Sequence, residues 1–120
     1  MKNPGEFVLT LMNARTAAHI MHLQVTGPGS LAKHMALGSF YEGIVPLIDT
    51  FAEAYQGCYG LIKFTGSSFK LEKDPLAMMA GLKDVMRKAR AECDEPSLQN
   101  IIDEMVALVA STSHKLKHLQ

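Results

Sequence analysis

The chain has 120 residues, of which 48% are hydrophobic and 20% charged, so one domain with a real core is expected and a disordered chain is excluded. Twelve Lys plus Arg balance twelve Asp plus Glu, leaving a formal net charge of zero and little attraction for a nucleic-acid backbone. Cys58 and Cys93 form neither a disulfide framework nor a zinc-ribbon pair. Residues 1–6 do not lead into a signal-peptide apolar run, and no uncharged apolar stretch is long enough for a membrane span. A single cytoplasmic domain over residues 1–120 with reduced thiols is therefore expected, without membrane attachment.

Helical periodicity runs through most of the chain. The first helix is expected from about Glu6 to Val25, with Leu9, Met12, Thr16, Ile20 and Leu23 on one stripe. A second stripe through Val8, Leu11, Arg15, His19 and His22 makes it apolar on most sides. Gly27-Pro28-Gly29 breaks the pattern, and Ser30 reads as the N-cap of a second helix over about Leu31–Tyr55, stopped by Gly57. Pro46 inside that helix predicts a kink. Residues 57–73 read as a long loop suited to contacting a partner, in which Tyr59–Phe64 is compatible with a short strand or a single helical turn.

Asp74-Pro75 reads as N-cap and first-turn proline of a third helix reaching about Cys93, its stripe Met79, Leu82, Met86 and Ala89. The short break at Asp94-Glu95-Pro96 folds a fourth helix back over about Ser97–Leu119. Its stripe is Leu98, Ile101, Met105, Leu108, Thr112, Leu116 and Leu119. The expected class is all-α, a four-helix bundle.

Two groups of polar residues stand out. Asp49 and Glu53, four apart, project from one helical face, where like charges cost roughly 0.2–0.5 kcal/mol without a cation. A solvated surface pair is the plainer account. His19 and His22 lie three apart within an apolar run, and His34 lies near the start of the second helix; each also suits an ordinary packed histidine. His114 and His118, with Lys115 and Lys117, complement the dipole at the last helix end, as do Lys83, Arg87, Lys88 and Arg90 on the third helix. No phosphate-binding loop, nucleophile elbow or HExxH motif occurs, and no glutamate has a histidine three residues later, so an intrachain di-iron centre is not expected.

The segment from His22 to Glu53 resembles the signature of Dps-like miniferritins, members of the ferritin-like superfamily. The residues that carry the likeness are His22, Val25-Thr26-Gly27-Pro28, His34, Tyr41 and Asp49-Thr50-Phe51-Ala52-Glu53, in register without a gap. The resemblance implies a ferritin-like four-helix bundle with His22, His34, Asp49 and Glu53 as ligands for non-haem iron, a set that zinc also accepts. It further implies ferroxidase activity with peroxide or oxygen as oxidant, and iron storage or oxidative-stress protection. An assembly or structural protein with a degenerate metal site is the alternative. The chain departs from the family pattern at Gly38, where an aspartate is expected, at Leu23 for an aromatic residue and at Ala54 for an arginine. It lacks the lysine-rich N-terminal extension used on DNA, and its compact length is similar to that of small phage-encoded relatives.

Helix arithmetic adds a constraint. His34 and Asp49 lie on one helix about 22 Å apart at 1.5 Å per residue, whereas metal–ligand bonds measure about 2 Å. One chain cannot place all four groups on one ion. Two copies with antiparallel second helices can, which predicts a homo-oligomer, at least a dimer with shared sites, and on the miniferritin likeness a larger shell.

Overall fold

The computed structural model describes residues 1–120 as four helices without strands: α1 (Pro4–Gln24), α2 (Ser30–Tyr59), α3 (Pro75–Ala91) and α4 (Pro96–His118). Helix α2, with 30 residues, is about 45 Å long and sets the 47 Å long axis of the bundle. Helix α1 packs on α2 and α3, and α4 packs on α2 and α3, so the helices form a square in section. The Met1 amino group donates to the Glu92 carbonyl at 3.2 Å, which places the end of α3 beside the start of α1. Gln120 lies within 4 Å of where a Gly29 side chain would begin, which places the end of α4 beside the α1–α2 turn. Consequently α2 and α3 run parallel, and residues 60–74 cross over along the bundle between them.

Local chemistry explains the boundaries. Asn3 accepts from the Glu6 amide at 3.0 Å and caps α1, which therefore starts at Pro4, slightly before the start that periodicity alone suggests. Ser30 is not the cap of α2 but its first residue. Gly29 occupies the cap position with φ 78°, a left-handed geometry that Gly27, φ 85°, shares, and the two glycines reverse the chain in a short turn. Helix α2 runs through Gly57 and stops at Gly60, φ 95°, whose amide donates to the Gln56 carbonyl. Tyr59 is thus helical, and Gly60–Phe64 is neither strand nor helical turn. Pro46 is accommodated inside one continuous helix on its exposed side. Asp74 accepts from the Leu76 and Ala77 amides and caps α3. That helix ends at Ala91, and α4 starts at Pro96.

The core is continuous from end to end, with Phe40, Phe51, Leu11, Leu37, Ile44, Met79, Met86, Leu98, Ile102 and Met105 sealed from solvent. Phe7 meets Phe51 edge to face, ring centres 5.2 Å apart. The stripe expected for α3 is buried throughout. On α4, Leu98, Met105, Thr112 and Leu116 point inward as expected, but Ile102 and Val109 take the places assigned to Ile101 and Leu108, and Leu119 is exposed. For α1 the assignment reverses: Phe7, Val8, Leu11, Ala14, Ala18 and Met21 face the core, whereas Met12 and Leu23 are exposed. The crossover is anchored by buried Ile62, whose amide donates to the Gln56 side chain, and by a reciprocal pair between the Asn13 side chain and the Lys70 backbone at 2.8 and 3.0 Å.

Candidate functional site

The α1–α2 turn brings His22 and His34 face to face. Their ring centres are 3.6 Å apart, with planes 21° from parallel. Each Nδ1 lies 2.8 Å from the other residue's backbone carbonyl oxygen. A carbonyl can only accept, so both Nδ1 atoms carry hydrogen and donate. In the neutral ring that arrangement leaves Nε2 bare, with a lone pair free to bind a metal or accept a proton. The His34 bond also satisfies one of the carbonyls left without a partner at the end of α1. Two histidines thus clasp two helix ends while keeping both distal nitrogens available.

The stack continues inward. His19 lies against Tyr41, ring centres 4.2 Å apart and planes 14° from parallel, and Tyr41 meets His22 edge on at 5.3 Å. The Arg15 guanidinium carbon stands 6.0 Å from the Tyr41 ring centre. All five side chains are half-buried between α1 and α2. The Arg15 Nε is sealed from solvent and has no hydrogen-bond partner. Gly38 is buried beneath the His22 ring: a Cβ there would lie 3.4 Å from its Cε1 and Nδ1. The place where the miniferritin pattern has an aspartate is therefore a surface on which an imidazole packs.

Asp49 and Glu53 are exposed farther along α2, and neither is brought to the histidines. No three His, Cys, Asp or Glu side chains converge within one chain. The two ion pairs of the chain, Lys70–Glu72 and Arg90–Asp103, involve none of Arg15, Glu42, Asp49 and Glu53. A cavity of about 710 Å³ lies elsewhere, between α1, the crossover and α3, lined by Glu6, Thr10, Asn13, Lys70 and Glu72. It holds none of the stacked residues and is an open cleft. Arg15 and His19 share with His22 the Val8–Leu11–Arg15–His19–His22 stripe of α1, a signal present in the sequence, whereas Tyr41 comes from α2 and meets them only through the packing of the two helices.

The molecule is thus an all-α four-helix bundle with a histidine–tyrosine–arginine stack between its first two helices, and no helix is long and apolar enough to cross a membrane. A family model described as "Family of unknown function (DUF5856)" matches residues 22–116, and the chain belongs to that family. The match begins at His22 and includes His34, Tyr41, Asp49 and Glu53. No curated protein matches the chain. No solved structure matches it either.

Proposed function

We propose that the protein is a Dps-like, ferritin-like iron-binding protein whose sites are completed between two copies of the chain. Iron(II) is then the substrate of a ferroxidase reaction with peroxide or oxygen, serving storage or oxidative-stress protection. The observation that carries the reading is the His22–His34 clasp, in which two stacked imidazoles hold their Nδ1 hydrogens on backbone carbonyls and keep both Nε2 lone pairs free. Imidazole with carboxylate is a donor set that suits non-haem iron and also zinc. Two exposed carboxylates without ion-pair partners, Asp49 and Glu53, stand on the same helix. The parallel α2 and α3 with one long crossover are the connectivity of ferritin-like bundles. Exposed Met12, Leu23, Leu31 and Met35 on α1 and α2, the last three between 62% and 70% exposed, supply apolar surface for a second copy.

In that dimer the α2 helices lie antiparallel about a two-fold axis, and His22 and His34 of one copy face Asp49 and Glu53 of the other. The protein's own part is to fix the tautomers of His22 and His34 and to hold the rings by stacking. A second reading, an assembly protein with a degenerate metal site, is favoured by Gly38, whose missing carboxylate has been replaced by imidazole packing.

The test is Fe(II) titration of metal-free protein, followed by mixing a His22→Ala/His34→Ala variant with an Asp49→Ala/Glu53→Ala variant. Each variant alone should bind no iron. A mixed dimer keeps all four ligands at one site and none at the other, and random one-to-one exchange makes about half of the dimers mixed, so binding should return to about a quarter of the wild-type level. Wild-type protein that assembles normally yet shows no saturable iron binding at neutral pH refutes the iron reading and supports the alternative.

A further inference from the structure

Arg15 is the one Lys or Arg in α1, and the chain offers it no anion. Its Nε is sealed from solvent with no partner, a costly state for a charged group. On α2, Tyr41 carries the Arg15 guanidinium over its ring, and the next residue, Glu42, is exposed and unpaired. A lone half-buried cation and a lone exposed anion therefore occupy the same level of the bundle, yet they form no bond within the chain.

The dimer proposed above, on which this inference rests, accounts for that arrangement. Antiparallel α2 helices that bring His34 opposite Asp49 and Glu53 cross at the residue midway between them, which is Glu42. The two Glu42 positions then lie within about 1 Å of the two-fold axis along the helix direction. Two carboxylates facing each other across a partly desolvated interface repel, and the contact needs cations at that level. Arg15 of each copy is the cation there, and its guanidinium fork suits a carboxylate.

We infer that Arg15 pairs with Glu42 of the partner subunit, so that two symmetry-related ion pairs flank the two-fold axis and set the register that aligns His34 with Asp49 and Glu53. The occupant of the outer α1–α2 face is thus a second copy, selected by charge complementarity at its centre.

Charge reversal tests this on the full chain. Arg15→Glu alone sets carboxylate against carboxylate at both cross-subunit contacts, and Glu42→Arg alone sets guanidinium against guanidinium. Each variant should therefore dimerise at least tenfold more weakly than wild type by sedimentation equilibrium. Mixed one to one, the two variants should form a heterodimer. One of its two contacts then pairs two native residues and the other pairs the two substituted ones with their signs exchanged, so both are attractive. A control mixture of Arg87→Glu and Glu104→Lys, exposed positions on α3 and α4, carries the same kind of charge reversals and should leave dimerisation unchanged. Should Arg15→Glu fail to fold, Arg15→Gln and Glu42→Gln provide a double-mutant cycle in which the double variant is weakened no more than either single one. Wild-type dimers whose strength is indifferent to both reversals overturn the ion pair and leave the shared-site reading standing. A wild-type monomer that binds no iron overturns both.

Discussion

Two glycines, both in helices, should respond oppositely to the same added methyl group. Gly81 lies exposed in the middle of α3, and a Cβ there meets nothing within 4 Å. Gly81→Ala gains helix propensity and restricts the unfolded chain, about 0.5–1 kcal/mol in total. Gly5 is buried in the first turn of α1, and its Cβ would overlap the Lys63 carbonyl oxygen, which is backbone and cannot rotate aside. Gly5→Ala must therefore displace either the start of α1 or the segment anchored by Ile62, at about 1–3 kcal/mol. For 120 residues the unfolding entropy makes 1 kcal/mol worth about 4 °C in Tm. Thermal unfolding followed by circular dichroism should show Gly81→Ala raised by about 2–4 °C and Gly5→Ala lowered by about 4–12 °C. Equal stabilisation by both would refute the close approach of the crossover to α1. A fall for Gly81→Ala would mean that something covers that face of α3.

Two further outcomes follow from titratable side chains. Cys93 is buried, and burial pushes its thiol above the usual range, whereas Cys58 is exposed; a disulfide reagent at neutral pH should label Cys58 promptly and Cys93 only on unfolding, and prompt labelling of both would contradict the packing at the end of α3. Asp103 accepts a bidentate bond from Arg90 at 2.6 and 3.1 Å, which holds its carboxyl below the ordinary 3.8. A depressed carboxyl stabilises the fold fully above its unfolded value, and that contribution is lost as pH falls through the folded value. Wild type should accordingly exceed Asp103→Asn in stability at about pH 6, with the gap closing below about pH 4. A gap that widened on acidification would refute the assignment.

How far the fold can be read from the sequence depends on how one-sided each helix is. Met79, Leu82, Met86 and Ala89 lie on a helix whose other faces are charged, so only one burial pattern is available to α3. Helix α1 is apolar almost all round, and periodicity cannot choose between the Leu9–Met12–Leu23 stripe and the face that packs. Gly57 reads as a stop, but a helix ends where the backbone turns left-handed, and of the glycines there only Gly60 does so. Within the candidate site, His22 and His34 are legible from their spacing and from Gly27-Pro28 between them. The approach of Arg15 and His19 to Tyr41 is not, because it depends on the register between α1 and α2, which the left-handed Gly27 and Gly29 determine. The pairing proposed for Glu42 has no local signal in the sequence, because it involves a second molecule.

The crossover at residues 60–74 has a consequence for assembly during folding. Helices α1 and α2 are closed by the short turn at residues 25–29, and α3 and α4 by residues 92–95, so each hairpin rests on contacts local in sequence. Neither hairpin hides its apolar face alone, and docking one on the other is the non-local step. Two chains at high concentration have a second solution: each can accept the other's α3–α4 hairpin and rebuild every helix contact, with only the path of residues 60–74 changed. The length of that segment keeps self-docking within one molecule's reach. Cutting it below the distance from the end of α2 to the start of α3 would make hairpin exchange between chains the remaining route to a closed core.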